Sequence, residues 1–294
     1  MFIKYFTSAT LLILVAFSKP SFALGKLGHQ LVCQITFEHL TENKQAKLTQ
    51  LLGAIPENHR DLINHYNYKK KGTPISFANA CTWADAIKRI EKFKNYGRWH
   101  YMNVPRHQLK IKANACQKDC LPQAILHHQK ILSQNVDENN WQQAQALLFL
   151  GHWLGDIHQP LHISFASDLG GNRVKLGHLA TKCDNLHWYW DNCILYKGKH
   201  SKEKWLTLLS AQWQQYSLPD WQPNQVWRWA DESFQLVRAA SFNYCQMDSQ
   251  DICQQPKQEV ILPKGYMQQY QQVMEQRLLA AAKRLASVLE ASLQ

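Results

Sequence analysis

Beyond its first residues, the 294-residue sequence lacks any continuous apolar stretch approaching the ~20 residues that a membrane-spanning helix needs. That absence argues against an integral membrane protein and for a soluble one. Acidic residues are scarce, 22 against 33 Lys and Arg, giving a formal net charge of +11. The imbalance disfavours basic partners and suits a polyanionic substrate, with Lys69, Lys70 and Lys71 adding a local basic cluster that by itself reads as a solvated loop. No C-x-x-C pair occurs, so thiolate zinc sites and a thioredoxin-like redox motif are poorly supported. Strand signals are few, and internal repeats, low-complexity tracts and dividing linkers are missing. A single domain rich in helices is expected.

The first 23 residues have a direction of their own. Lys4 precedes an apolar run from Ala9 to Phe17, followed by Ser21, Phe22 and Ala23, a small-x-small cleavage pattern. This reads as a secretory signal peptide over 1–23, leaving a domain over 24–294 that begins at Leu24. Removing Lys4 and Lys19 lowers the formal charge to about +9. The eight cysteines are even in number in a chain with an export signal, so disulfides are expected. Cys116 with Cys120, Cys183 with Cys193 and Cys245 with Cys253 could each staple a loop, which would leave Cys33 for Cys81; the pairing stays open at this level. The location is periplasmic or secreted.

Helical patterns cover Lys26 to Leu40, Lys44 to Leu52, Leu121 to Ser133, Asn140 to Gly155 and Gln225 to Ala240. After Pro263 and Gly265, the residues Tyr266, Tyr270, Val273, Leu278, Ala281, Leu285 and Val288 fall near one face of a last helix. The stretch from Ser164 to Lys182 carries Gly170, Gly171 and Gly177 and reads as a long ordered loop or short hairpin. Loops of that length are usually functional or disordered, and the histidine clusters on either side favour function. The fold class is all-α.

Fourteen histidines stand in the chain, and their grouping matters more than their number. His152-Trp-Leu-Gly-Asp156-Ile-His158-Gln-Pro-Leu-His162 sets His152 and Asp156 one helical turn apart on one face, where both can reach a single cation. Pro160 then ends the helix and lets His162 face a different point. His187 and Asp191 repeat the i, i+4 spacing. Imidazole with carboxylate is a natural zinc donor set. Asp85, His100 and His29 are isolated candidates. Any one such pair is more often a surface hydrogen bond, and Trp99, Trp153, Trp188 and Trp190 read as packing rather than base-stacking platforms. His65, His127, His128 and His158 read as residues that bind nothing or at most orient neighbours.

Taken in order, Gly25-Lys-Leu-Gly28-His29, Trp83-Ala-Asp85, Trp99-His100-Tyr101, His152 through His162, Gly170-Gly171-Asn172, Asn185-Leu-His187 through Asp191 and Arg284-Leu285-Ala286 resemble one family. It is the zinc-dependent nucleases typified by nuclease P-one and nuclease S-one, and the resemblance covers nearly all of 24–294. It implies the all-α, single-domain architecture shared by phospholipase C and P-one nuclease, and three zinc ions per chain. Its ligand sets are Asp85, His100, His152 and Asp156; then His162, His187 and Asp191; then the backbone amine and carbonyl of Leu24 with His29 and a bridging oxygen of Asp156. Most members begin with Trp where Leu24 stands, but the ligating atoms there belong to the backbone. A free α-amine with a pKa near ~8 can bind a metal where a peptide nitrogen cannot, so signal cleavage would complete the site.

The resemblance further implies an endonuclease that hydrolyses single-stranded DNA and RNA to 5′-phosphorylated products, with 3′-nucleotidase activity on nucleotides. Asp85 would orient or deprotonate the nucleophile, and Lys88, one turn later, would stabilise the charged transition state. Tyr101, Asn103 and Asn172 match the base pocket; the family's best-known members carry aspartate where Asn103 stands, which leaves base preference open. A monomer with no stable membrane association is expected. The rival readings are a zinc-dependent phospholipase C, whose final pair tends to be His-x-x-x-Glu rather than ending at Asp191, and a non-catalytic periplasmic zinc-binding protein.

Overall fold

The computed structural model describes residues 24–116, 119–134, 140–177, 183–197, 200–215, 217, 221–256 and 259–293. The signal segment expected over 1–23 lies outside them. Helices dominate, as the sequence patterns imply, and the all-α expectation holds. They are α1 Lys26–Glu38, α2 Glu42–Gly53, α3 Glu57–Tyr66, α4 Phe77–Ala80, α5 Trp83–Ala86, α6 Leu121–Leu132, α7 Trp141–Asp156, α8 Leu186–Trp188, α9 Ile194–Lys197, α10 Lys202–Gln212, α11 Gln225–Arg238 and α12 Tyr266–Ser292. No helix among the described residues is long and apolar enough to cross a membrane.

The helix α7 is the axis of the molecule. From Ala146 to Asp156 every residue is buried, the pattern of a helix with protein on all sides rather than one solvated face. It packs against α6, α12, α1 and α5, and α1 in turn lies against α12, α4 and α10. The last helix begins at Tyr266, after Pro263 and Gly265, and buries Tyr266, Tyr270, Leu278, Ala281, Leu285 and Val288 as expected. Met274 rather than Val273 completes that face: Val273 is only half-buried.

Four disulfides join Cys33–Cys81, Cys116–Cys120, Cys183–Cys193 and Cys245–Cys253. Three close short loops; the first joins α1 to the residue that ends α4. It lies directly over α7, because Gly151 offers no side chain there: a Cβ at that position would stand 2.2 Å from Cys81 Sγ and 2.9 Å from Cys33 Sγ.

Sheet structure is slight. The strands β1 Met102–Val104 and β2 Ile163–Phe165 pair in parallel, Met102 opposite Ile163, and β3 Gln246–Met247 pairs antiparallel with β4 Cys253–Gln254. The first pair matters for function, since His100 and His162 sit just ahead of its two strands. The stretch expected as a loop or hairpin from Ser164 runs through β2, a 3-10 turn at Ala166–Asp168 and a series of turns, then forms isolated bridges of Lys175 with Asn185 and Leu176 with Val260. Its remainder, 178–182, is outside the described residues.

The close contact at Gly151 is testable. Gly151→Ala is expected to destabilise the fold by about 1–3 kcal/mol through overpacking, read as a lowered denaturant midpoint with an unchanged slope.

Candidate metal centre

Five imidazoles and three carboxylates converge beside the C-terminal end of α7. All eight groups, His29, Asp85, His100, His152, Asp156, His162, His187 and Asp191, are at most 5% exposed. Three triads, the first two sharing His152, have ligand atoms close enough to share a cation: His29, Asp85 and His152; His100, His152 and Asp156; His162, His187 and Asp191.

Each side chain is delivered by a local feature of the sequence. The helix α7 brings His152 and Asp156 one turn apart. Where it ends, Pro160 opens a 3-10 turn over Pro160–His162 that swings His162 toward α8. The helix α8, begun by Asn185 with its side chain accepting from the Trp188 amide, presents His187, and the wider π turn Tyr189–Cys193 that follows presents Asp191. The helix α1 supplies His29, and it can do so only because Gly155 leaves the α7 surface open. A Cβ on Gly155 would lie 2.6 Å from His29 Nδ1.

The tautomers are fixed by backbone carbonyls. His152 Nδ1 lies 2.7 Å from the Cys81 carbonyl oxygen, His162 Nδ1 2.5 Å from that of His100 and His187 Nδ1 2.7 Å from that of Gly170. A carbonyl can only accept, so each Nδ1 carries a hydrogen and Nε2 is the nitrogen turned to the cluster. Metal-ligating histidines are held in this way. Two imidazoles differ: His100 turns Nδ1 inward to 3.0 Å from Asp156 Oδ2, and neither ring nitrogen of His29 has a hydrogen-bond partner among the described residues.

The inward atoms bear on whether zinc fits. His29 Nε2, His162 Nε2, His187 Nε2, Asp156 Oδ1 and Asp191 Oδ2 are buried with no hydrogen bond among the described residues. They stand apart at ligand spacing: His29 Nε2 to Asp156 Oδ1 3.3 Å, His152 Nε2 to Asp156 Oδ2 3.3 Å, His162 Nε2 to Asp191 Oδ1 3.5 Å and His187 Nε2 to Asp191 Oδ2 3.4 Å. A tetrahedral cation with bonds of about 2.0–2.1 Å holds its donor atoms roughly 3.3–3.4 Å apart. Buried polar atoms left without partners are costly, and a cation is the partner this donor set suits. The residues fit zinc.

The charges of the cluster are interlocked. Burial pushes the His29 imidazole down to about 4, with His152 adding to the effect, and His100 down to about 3, with Lys88 adding to it. Burial would raise Asp156, yet His152 and His162 hold it well below the usual carboxylate range. Burial would lower His162, but Asp156 and Asp191 outweigh it and raise the imidazole to about 9. Asp85 is likewise depressed against its burial, chiefly by Lys88, whose Nζ is 2.7 Å from Oδ1.

Through Asp85 the cluster borders a cleft of about 540 Å³. Tyr66, Tyr68, Trp188 and Tyr196 give it aromatic walls, and Lys26, Lys88 and Arg89 give it positive charge. A scan of family models matches the one described as S1/P1 Nuclease over residues 24–294. The chain belongs to the S1/P1 nuclease family. Curated proteins similar to it include Endonuclease 4 of Arabidopsis thaliana, 28% identical over 96% of this chain and 93% of that protein. Endonuclease 3 of the same plant is 29% identical over 63% of this chain, and Nuclease S1 of Aspergillus oryzae 25% over 60%. In these last two the alignment spans 59% and 56% of the relative's own length.

Within this S1/P1 nuclease framework, the structure gathers every metal ligand anticipated from a side chain, with one regrouping: His29 lies with Asp85 and His152 as well as with Asp156. Leu24 is buried, its side chain against Gly28 and near Gly155, and the next amide, Gly25 N, donates to the Asp191 carbonyl oxygen at 2.8 Å. The anticipated base-pocket residues sit apart from the aromatic cleft. Tyr101 is 40% exposed, Asn103 Oδ1 is 3.3 Å from where a Gly170 Cβ would be, and Asn172 Nδ2 donates to the Leu169 carbonyl oxygen.

Three contributors were missed. Tyr66 donates to Asp85 Oδ2 at 3.4 Å, and Gln159 Nε2 donates to Asp191 Oδ1 at 2.5 Å while its Oε1 accepts from the Leu161 amide. Asp168 accepts from the Gly171 amide and the Tyr244 hydroxyl and pairs with Arg106, steadying the loop whose Gly170 carbonyl receives His187. Only Gln159, inside the histidine-rich segment, carried a sequence signal.

At pH 7 metal uptake is expected to release about one proton from His162 and, if the Leu24 amine with its pKa of ~8 binds, most of a second, while His29 and His100 are already neutral and give none. Titration calorimetry in buffers of different ionisation enthalpy measures this. Asp156→Asn is expected to cut bound metal more than Asp85→Asn does, since Asp156 faces four imidazoles; metal analysis of the purified variants compares them.

Proposed function

We propose that this chain is an exported, zinc-dependent endonuclease that hydrolyses phosphodiester bonds of single-stranded DNA and RNA to 5′-phosphorylated products, with 3′-nucleotidase activity beside it. The observation that carries the reading is the convergence of three His/Asp triads, one of which reaches an aromatic, cationic cleft through Asp85. The family and the endonucleases named above support it. Three zinc ions per chain is the stoichiometry proposed, held by His29 with Leu24 and Asp156, by Asp85, His100, His152 and Asp156, and by His162, His187 and Asp191.

When bound, zinc supplies Lewis acidity toward a phosphoryl oxygen and activates water at neutral pH. The chain's own groups do the rest. Asp85, kept ionised beside Lys88 and touched by the Tyr66 hydroxyl, accepts a hydrogen bond from the attacking water and fixes its direction. Lys88 is 20% exposed in its side chain and lies on the cleft wall, where its ammonium meets the charge that develops on the phosphoryl group. Lys26 and Arg89 attract flanking phosphates. Bases that have left a duplex stack against an aromatic face for ~1–3 kcal/mol each, which favours single strands. Tyr101, Asn103 and Asn172 form the proposed base pocket. Residues 1–23 act as a signal removed after Ala23, and the four disulfides suit the periplasm or the exterior. The chain works as a monomer.

Metal analysis paired with cleavage assays tests this. About three zinc ions per chain, with chelator-sensitive digestion of single-stranded DNA and RNA and no attack on phosphatidylcholine, is expected. Hydrolysis of phosphatidylcholine would instead mark a phospholipase, and metal without cleavage a binding protein. A chain with additional residues retained ahead of Leu24 is expected to hold one zinc fewer and to lose most activity; full metal content in it would remove Leu24 from the ligands.

A further inference from the structure

The Arg284-Leu285-Ala286 segment recognised in the sequence has no part in the cluster or the cleft, yet its arginine is buried, 9% exposed, like Arg277 two turns earlier at 8%. Both belong to α12. Buried guanidinium groups need partners, and one carboxylate, Glu232 of α11, serves the two: Arg284 donates to its oxygens at 2.7 and 3.0 Å and Arg277 at 3.3 Å. Their other hydrogen bonds converge, directly or through Ser233 of α11, on one short stretch of chain, the turn between Asp156 and His162.

A helix end leaves carbonyls without intrahelical partners. At the end of α7 they are all met. The Trp153, Gly155 and Asp156 carbonyl oxygens receive the amides of Ile157, His158 and Gln159. That of Leu154 takes the His158 ring, Nδ1 at 2.7 Å; that of Ile157 takes the Ser233 hydroxyl at 2.5 Å; that of His158 takes Arg277 Nε at 3.0 Å. Arg277 Nη2 also donates to Ser233 Oγ at 2.6 Å, and Arg284 Nη1 to His158 Nε2 at 2.8 Å. His158 is thereby fixed at both nitrogens, and the turn that separates the two ligands is gripped from α11 and α12 at three points, two on its backbone and one on the His158 ring.

We propose that Arg284, acting through His158, and Arg277, acting with Ser233, are positioning residues: they set the path of the 156–162 turn and so the spacing at which Asp156 and His162 meet a metal. The proposal rests on the metal reading above and deepens it. These groups touch no substrate. The groove that Glu232, Arg277 and Arg284 help to line has no lining residue in common with the cleft over the cluster. A core that needed only filling would be served by apolar side chains, and two buried cations drawn to one turn hold a geometry instead.

The test uses purified protein stripped of metal and titrated with cobalt(II), whose visible spectrum reports ligand geometry, alongside circular dichroism and thermal melting. Arg284→Met and the milder Ser233→Ala are compared with Lys283→Met, which removes a neighbouring cation over Trp213. Helical signal is expected to persist in all three. Cobalt affinity is expected to fall about 10–100-fold in Arg284→Met, and less in Ser233→Ala, with altered absorption bands in both and none in Lys283→Met. A lowered melting temperature with unchanged affinity and bands overturns the proposal, as does an equal effect from Lys283→Met. If Arg284→Met fails to fold, the Ser233→Ala spectrum decides alone. Failure of the unaltered chain to take up cobalt or zinc is a separate outcome that removes the metal reading itself.

Discussion

A single buried carboxylate organises this molecule. Asp156 is wholly enclosed and stands within 3.7 Å of four imidazoles, those of His29, His100, His152 and His162. An isolated carboxylate in such a place would be heavily penalised by lost hydration, and it persists because positive or polarisable partners surround it. Everything that brings those partners in, from the glycines of α7 to the short parallel strand pair, is in the service of that one charge. The same logic accounts for the interlocked protonation: the acids hold a proton on His162, and a cation taking their charge would displace it.

The ligands come from distant parts of the chain by few devices. Small residues on one face of α7 admit α1 and the disulfide above it. The pairing of Met102 with Ile163 sets His100 beside His162, and the Gly-Gly turn held by Asp168 delivers a carbonyl to His187. That turn runs through left-handed conformations at Leu169, Gly170 and Gly171, which two glycines make affordable and Asp168 makes specific.

Much of the site was legible because it obeys helical spacing. His152 with Asp156 and His187 with Asp191 are separated by one turn, and Pro160 marks where the direction changes; Asp85, His100 and His29 stood out only as isolated candidates, and the resemblance to known nucleases gave them their ligand sets. What stayed hidden was of another kind. The partners of His152, His162 and His187 are backbone carbonyls of Cys81, His100 and Gly170, and a carbonyl has no letter in a sequence. Tyr66 and Asp168 are single residues without a pattern, brought to their places by tertiary packing. His29 joins Asp85 and His152 because Gly155 permits close approach, a steric permission that periodicity does not encode. Arg284 was noticed as part of a motif, but its contacts lie far off in the chain, on Glu232 and His158.

The Cys33–Cys81 bond sits among the ligands. Cys33 follows His29 by one turn of α1, Cys81 precedes Asp85 by four residues, and the carbonyl of Cys81 itself holds His152. One covalent link thus spans three of the side chains that must meet, closing a loop of 48 residues in sequence separation. Oxidation of this pair therefore tethers the segment that carries His29 to the one that carries Asp85. Until these thiols pair, His29 on one segment and Asp85 on the other are joined only through the backbone between them.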